Sequence, residues 1–167
     1  RHDRPLPHAA NVTRSPSAPF AAMIAPMANP PTDTRDFLRH TVATLAYRAE
    51  KVLRTAPKDF AERRCSPQSR TAHEILGHLG DLAEWGTRMA RGERRWAPAP
   101  LTEWEQDTAR FFAGLAALDA VLAAPDWRGD AAMIFQGPIA DALTHIGQLA
   151  MLRGAAGEPV RGESYAK

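Results

Sequence analysis

A single cysteine, Cys65, stands in 167 residues. It leaves no disulfide framework and no Cys-based zinc cluster, and a lone thiol fits a reducing cytoplasm, the expected compartment. No stretch approaches the roughly 18 consecutive apolar residues of a membrane span, so no membrane partner is expected. Alternating strand patterns and internal repeats are also missing. A folded basic face is absent too. The net charge is +2, yet Arg1, Arg4 and Arg14 against Asp3 supply all of it within residues 1–31. A nucleic-acid binder concentrates Lys and Arg on its folded surface, and no nucleic-acid partner is therefore expected.

What is present suits one domain with a tail. The chain is 44% hydrophobic and 24% charged, enough apolar material for a core without staples. Seven of the fourteen prolines fall in the first 31 residues, Pro5, Pro7, Pro16, Pro19, Pro26, Pro30 and Pro31. Proline at that density blocks helix and central strand, so residues 1–32 are expected as a disordered Pro/Arg-rich segment and 33–167 as the domain. A secretory signal would need a continuous apolar region of about 7–15 residues, and Pro19 interrupts the one candidate, Ala18 to Ile24. Met23 and Met27 are the expected natural starts.

From Asp33 the chain reads as four helices. Asp33 or Thr34 caps the first, over about 35–55, with Leu38, Val42, Leu45, Ala49 and Val52 at bundle spacing. Thr71-Ala72-His73-Glu74 is a capping box opening the second, whose stripe is Ile75, Leu79, Leu82, Gly86 and Met89. Thr102-Glu103-Trp104-Glu105 repeats that signal before a third stripe of Trp104, Thr108, Phe111, Leu115, Leu118 and Leu122. The fourth helix follows Gly137-Pro138, with the proline at a tolerated first-turn position, and stops at Gly154. Between Pro138 and Leu152 its single charged residue is Asp141, which predicts burial on most sides. The expected architecture is an all-α four-helix bundle.

Two helices carry the candidate chemistry. At 100° per residue with Ile75 at zero, His78 falls at the edge of the buried stripe and His73 faces away, toward water. Asp141 and His145 stand four apart on one helix face, the spacing at which two side chains bind one divalent ion. His78 is the natural third ligand, and two histidines, one carboxylate and a water make a catalytic-type site. An ionised carboxylate in an apolar bundle also requires pairing or a metal. The plainer readings are a structural Asp141–His145 pair and a satisfied core His78. Trp85 lies beside His78 as a pocket wall, and Glu74 and Asp81 are candidates to support it, or ordinary surface carboxylates. Trp104, Phe111 and Phe112 are core, His2, His8 and His40 are tail or solvent-facing, and Cys65 has no neighbouring base to activate it.

The segments Glu74-Ile75-Leu76-Gly77-His78-Leu79-Gly80-Asp81-Leu82 and Gly137-Pro138-Ile139-Ala140-Asp141-Ala142-Leu143-Thr144-His145-Ile146-Gly147-Gln148-Leu149, with the ending Arg153-Gly154-Ala155-Ala156-Gly157-Glu158-Pro159, resemble the DinB/YfiT-like superfamily of four-helix metal-binding bundles. The likeness runs over roughly residues 34–165, and the H-x-G-Q element is its most specific part. The resemblance implies His78, Asp141 and His145 as ligands, with Asp141 where most members have His and some, similar to mycothiol-dependent maleylpyruvate isomerase, have a carboxylate. Glu163-Ser164-Tyr165 resembles an element that family chains run past, and the C-terminus is expected to lack a few residues. It further implies a metal-dependent enzyme acting on a small molecule, of the thiol S-transferase or hydrolase class. Zinc, nickel or iron would be the cation, with a low-molecular-weight thiol such as mycothiol or bacillithiol as a co-substrate. Gln148, three residues past His145, is a candidate to hold a ligand or the cofactor by hydrogen bonding, or else an ordinary partly exposed helix residue, and Arg88, Arg91 and Arg153 are available for a thiol pocket. A homodimer is compatible with the apolar surface. The alternative is a non-catalytic binding or dimerisation module with a vestigial metal site.

Overall fold

The computed structural model describes residues 33–163. The expected disorder of 1–32 and the end of the Glu163-Ser164-Tyr165 element lie outside the described residues.

Helix α1 (Thr34–Leu53) begins on Asp33, whose carboxylate accepts from the Asp36 amide at 2.8 Å. That bond satisfies one of the donors orphaned at a helix start. The five stripe residues Leu38, Val42, Leu45, Ala49 and Val52 are all buried. A 3₁₀ turn at Phe60–Glu62 then seats the Phe60 ring fully inside the core. Helix α2 (Ala72–Ala90) opens with the expected capping box. Thr71 Oγ1 accepts from the Glu74 amide at 3.1 Å, and the Thr71 amide donates to the Glu74 carboxylate at 2.6 Å.

Helix α3 (Trp104–Leu122) buries Phe111, Leu115, Leu118 and Leu122 as the stripe predicts. Its capping box does not form, because Glu103 is the residue at the cap and makes no side-chain bond there. Asp107 secures the helix start instead. It is 1% exposed and accepts from the Thr102 amide and the Thr102 hydroxyl, both at 3.1 Å. A carboxylate one turn inside the helix, next to the positive end of the macrodipole, replaces the glutamate that the motif requires.

The last helical column starts earlier than Pro138. Asp130 caps the short helix α4 (Ala131–Ile134) by accepting from the Met133 amide at 3.1 Å. A π-helical turn, Phe135–Ile139, leads into α5 (Ala140–Ala155). Pro138 therefore sits inside a helix, in correction of its expected place in a first turn. In a plain α-helix the proline ring strikes the carbonyl four residues back, and the wider i→i+5 turn relieves that clash. The buried positions follow suit: Ile134 and Ile139 are five apart, and Ala142, Ile146 and Leu149 then resume steps of three and four. The helix also passes Gly154. It ends at Ala155, and the chain then turns away at Gly157, whose φ of +83° suits a residue without Cβ, with the Gly157 amide donating to the Gly154 carbonyl at 3.1 Å and the Glu158 amide to the Arg153 carbonyl at 3.0 Å.

The four long helices surround one core. α2 packs most extensively on α3; α5 also packs on α2, and α1 touches both α3 and α5, which leaves α1 and α2 across a diagonal. The α2–α3 approach is close enough that a Cβ on Gly114 would lie 2.8 Å from the Ala83 Cβ. Residues such as Leu76, Leu79, Leu115 and Leu149 are essentially inaccessible, each contributing about 1.5–3 kcal/mol by burial. Among the described residues the fold is all-α, without a strand. No described helix is long and apolar enough to cross a membrane. α5 is not buried on most sides, as its composition suggested. Ala142, Ile146, Leu149 and Leu152 face the core, whereas Thr144, Gly147, Gln148 and Met151 are exposed. Small and uncharged residues simply cover its outer face.

Candidate metal centre

His78 comes from the middle of α2, and Asp141 and His145 from the first two turns of α5. Contact between those helices brings the three together. His78 Nε2 and His145 Nε2 each lie 3.5 Å from a carboxylate oxygen of Asp141. The two imidazoles meet edge to face, with centroids 4.8 Å apart. One ligand atom from each residue fits within a 4.8 Å spread. With bonds of about 2.0–2.1 Å, neighbouring ligands of a tetrahedral ion stand roughly 3.3–3.4 Å apart. Both His-to-Asp separations match that edge. The cluster can hold a metal ion, and among the described residues no other group of three or more His, Cys, Asp or Glu does so.

The electrostatics suit a cation. Burial disfavours the charged form of His78, and the charge of Arg70, together with that of His145 whenever it is protonated, adds to it. Together they outweigh Asp141 and hold His78 below the ordinary imidazole value of 6.5. A neutral imidazole keeps one ring nitrogen with a lone pair available to a cation. His145 is oriented by Gln148, whose side-chain oxygen lies 2.8 Å from Nδ1. An amide oxygen only accepts, so Nδ1 carries the proton and Nε2 presents its lone pair to the site. Asp141 is not a buried carboxylate in need of rescue. Its side chain is 48% exposed, against 21% and 12% for His78 and His145. The centre therefore opens to solvent on the Asp141 side.

The surroundings differ from the expected ones. Trp85 contributes to a wall, but through Trp96: the Trp96 ring stands 5.7 Å from His78 and 5.5 Å from Trp85. Trp96 belongs to the loop between α2 and α3, where no helical spacing marks it. The indole N–H of Trp85 is buried without an acceptor among the described residues. Glu74 and Asp81 do not support His78. Glu74 closes the capping box, and Asp81 accepts from the Ala99 amide at 3.0 Å and from Arg110 at 2.9 Å, on the side facing α3. Arg153 is engaged elsewhere than at the metal centre: buried, it donates to the Val52 carbonyl at 2.9 Å and to Thr55 Oγ1 at 2.8 Å, tying α5 to the end of α1. Arg88 pairs with Glu84 along its own helix. Arg70, just before α2, is the arginine whose charge reaches His78.

His73 also corrects its expectation. It faces α3 rather than water, with Nε2 2.8 Å from the buried Asp107 carboxylate and its ring against Trp104. The pair stands apart from the metal centre and locks the starts of α2 and α3 together. No protein-family model, curated protein or solved structure matches the chain.

Proposed function

We propose that His78, Asp141 and His145 bind a divalent cation, zinc, nickel or iron, in a bundle of the DinB/YfiT-like kind, and that the protein is a metal-dependent enzyme of the thiol S-transferase or hydrolase class acting on a small molecule. One observation carries the reading: three ligand atoms from two separate helices lie within 4.8 Å of one another beside an open face. Two imidazoles with one carboxylate are a donor set that these borderline cations accept. A bound cation would lower the pKa of a water or thiol in the remaining position.

The chain's own residues set the conditions for that chemistry. Gln148 fixes the His145 tautomer. Partial burial keeps His78 neutral. Trp96 shields one side of His78, while the exposed Asp141 edge leaves room for a small molecule to approach.

Elemental analysis of protein purified without a metal-affinity tag tests the reading. About one equivalent of metal is expected, lost in His145→Ala and kept in His73→Ala, whose imidazole is occupied with Asp107. Equal metal in both variants would refute the ligand assignment. Wild-type protein that never takes up a stoichiometric ion would favour the non-catalytic module instead.

A further inference from the structure

Beside the metal centre runs a groove of about 380 Å³ between the 63–71 loop, the start of α2 and the outer face of α5. That volume lies within the roughly 300–1,000 Å³ of small-molecule sites. His145 and Gln148 line it, and Ile75 and Met151 supply apolar wall. Met151 is 58% exposed, a large apolar side chain left in water at the groove. Arg70 is the one lining residue with a full charge, and no carboxylate lines the groove. Its guanidinium makes no hydrogen bond or ion pair with the described residues. Glu74, near enough to feel that charge, keeps its carboxylate on the Thr71 amide.

An uncommitted cation, an apolar wall and a metal-ligand imidazole in one groove specify a ligand class. We infer that this groove binds a small carboxylate with an apolar body, the carboxylate at Arg70, the chain along Ile75 and Met151, with His145 and Gln148 among the residues that line it. As a statement about substrate class, the inference rests on the metal-centre reading proposed above. The groove itself is a physical object that can be tested without metal.

Cys65 lies in the same groove and is exposed, which makes it a reporter. The rate at which it reacts with a neutral reagent, iodoacetamide, measures whether the groove is filled. The test uses the full chain, in chelator-treated and zinc-loaded forms, with hexanoate, 1-hexanol and acetate as probes. Hexanoate is expected to slow alkylation at lower concentration than 1-hexanol or acetate in both forms. Arg70→Gln should weaken hexanoate protection by up to about fivefold, the most that an exposed ion pair is worth, and should leave 1-hexanol unchanged. Arg64→Gln, next to the reporter but outside the groove lining, should protect as wild type does.

Equal potency of hexanoate and 1-hexanol overturns the proposal, as does equal loss in Arg64→Gln and Arg70→Gln. Absent protection overturns it even where zinc binds stoichiometrically. Protection that persists in a protein that takes up no metal supports the groove and refutes the metal centre, so the two failures are distinguishable.

Discussion

Gln148→Leu isolates the contribution of one hydrogen bond to the proposed centre. The side chain is exposed, and its partner is His145 Nδ1, at 2.8 Å. Removing that acceptor leaves both ring nitrogens of His145 to exchange the proton and lets the ring turn away from Asp141. Support of this kind is worth about 10–100-fold in metal affinity, equivalent to roughly 1.4–2.7 kcal/mol. The metal-free fold should shift by no more than about 0.5 kcal/mol, as for an ordinary surface substitution. Zinc affinity, read by competition with a chromophoric chelator at pH 7.5, is expected to fall by that factor. Gln148→Glu keeps an acceptor in place and should restore wild-type affinity or better. Nickel or cobalt provides a second signal, since Trp96 stands 5.7 Å from His78 and its fluorescence should be quenched on binding. Should Gln148→Leu bind zinc within twofold of wild type while His145→Ala does not bind, the orienting role assigned to this bond is refuted.

Asp107→Ala should destabilise the fold by roughly 1–3 kcal/mol, since His73 is left half-buried without its partner, while Arg110 keeps Asp81 and the Gly77 carbonyl and Thr102 can turn to water; a lower urea midpoint with metal stoichiometry intact is the expected result. Acid should act on the same residue. Burial alone raises the Asp107 carboxyl, but the Thr102 amide, His73, the Thr102 hydroxyl and the Arg110 charge together hold it below 3.8. The unfolded chain then takes up this proton first, so the stability Asp107 contributes is present above about pH 4 and lost as pH falls through its lower folded value. Urea midpoints measured from pH 5 to pH 2.5 should fall less steeply in Asp107→Asn than in wild type.

The first three helices were legible because each carries large aliphatic residues at bundle spacing, and Thr71 announces its own box. His78, Asp141 and His145 were legible from an i,i+4 pair and one inward imidazole. His73 was not, for a physical reason. A projection centred on Ile75, Leu79 and Leu82 misses that α2 is buried over a wider arc, whose side toward α3 includes Gly80, Ala83 and Thr87. Small residues mark close helix contact without registering as a hydrophobic stripe, so the projection turned the histidine beside them toward solvent. Asp107 was missed in the same way, because a fully buried carboxylate capping its own helix resembles a surface charge in sequence. Arg70 and Trp96 lie in loops, where periodicity gives no direction.

The wide turn at Phe135–Ile139 makes chain length critical just before the ligand pair. Deleting one residue there would let the ladder close as ordinary α-helix, at 100° per residue. Either Ile134 would then swing out of the core or Asp141 and His145 would rotate off the face that meets His78. Substitutions in Phe135–Ile139 that keep the count are tolerable in principle, whereas a one-residue shortening forces a choice between packing and ligand geometry.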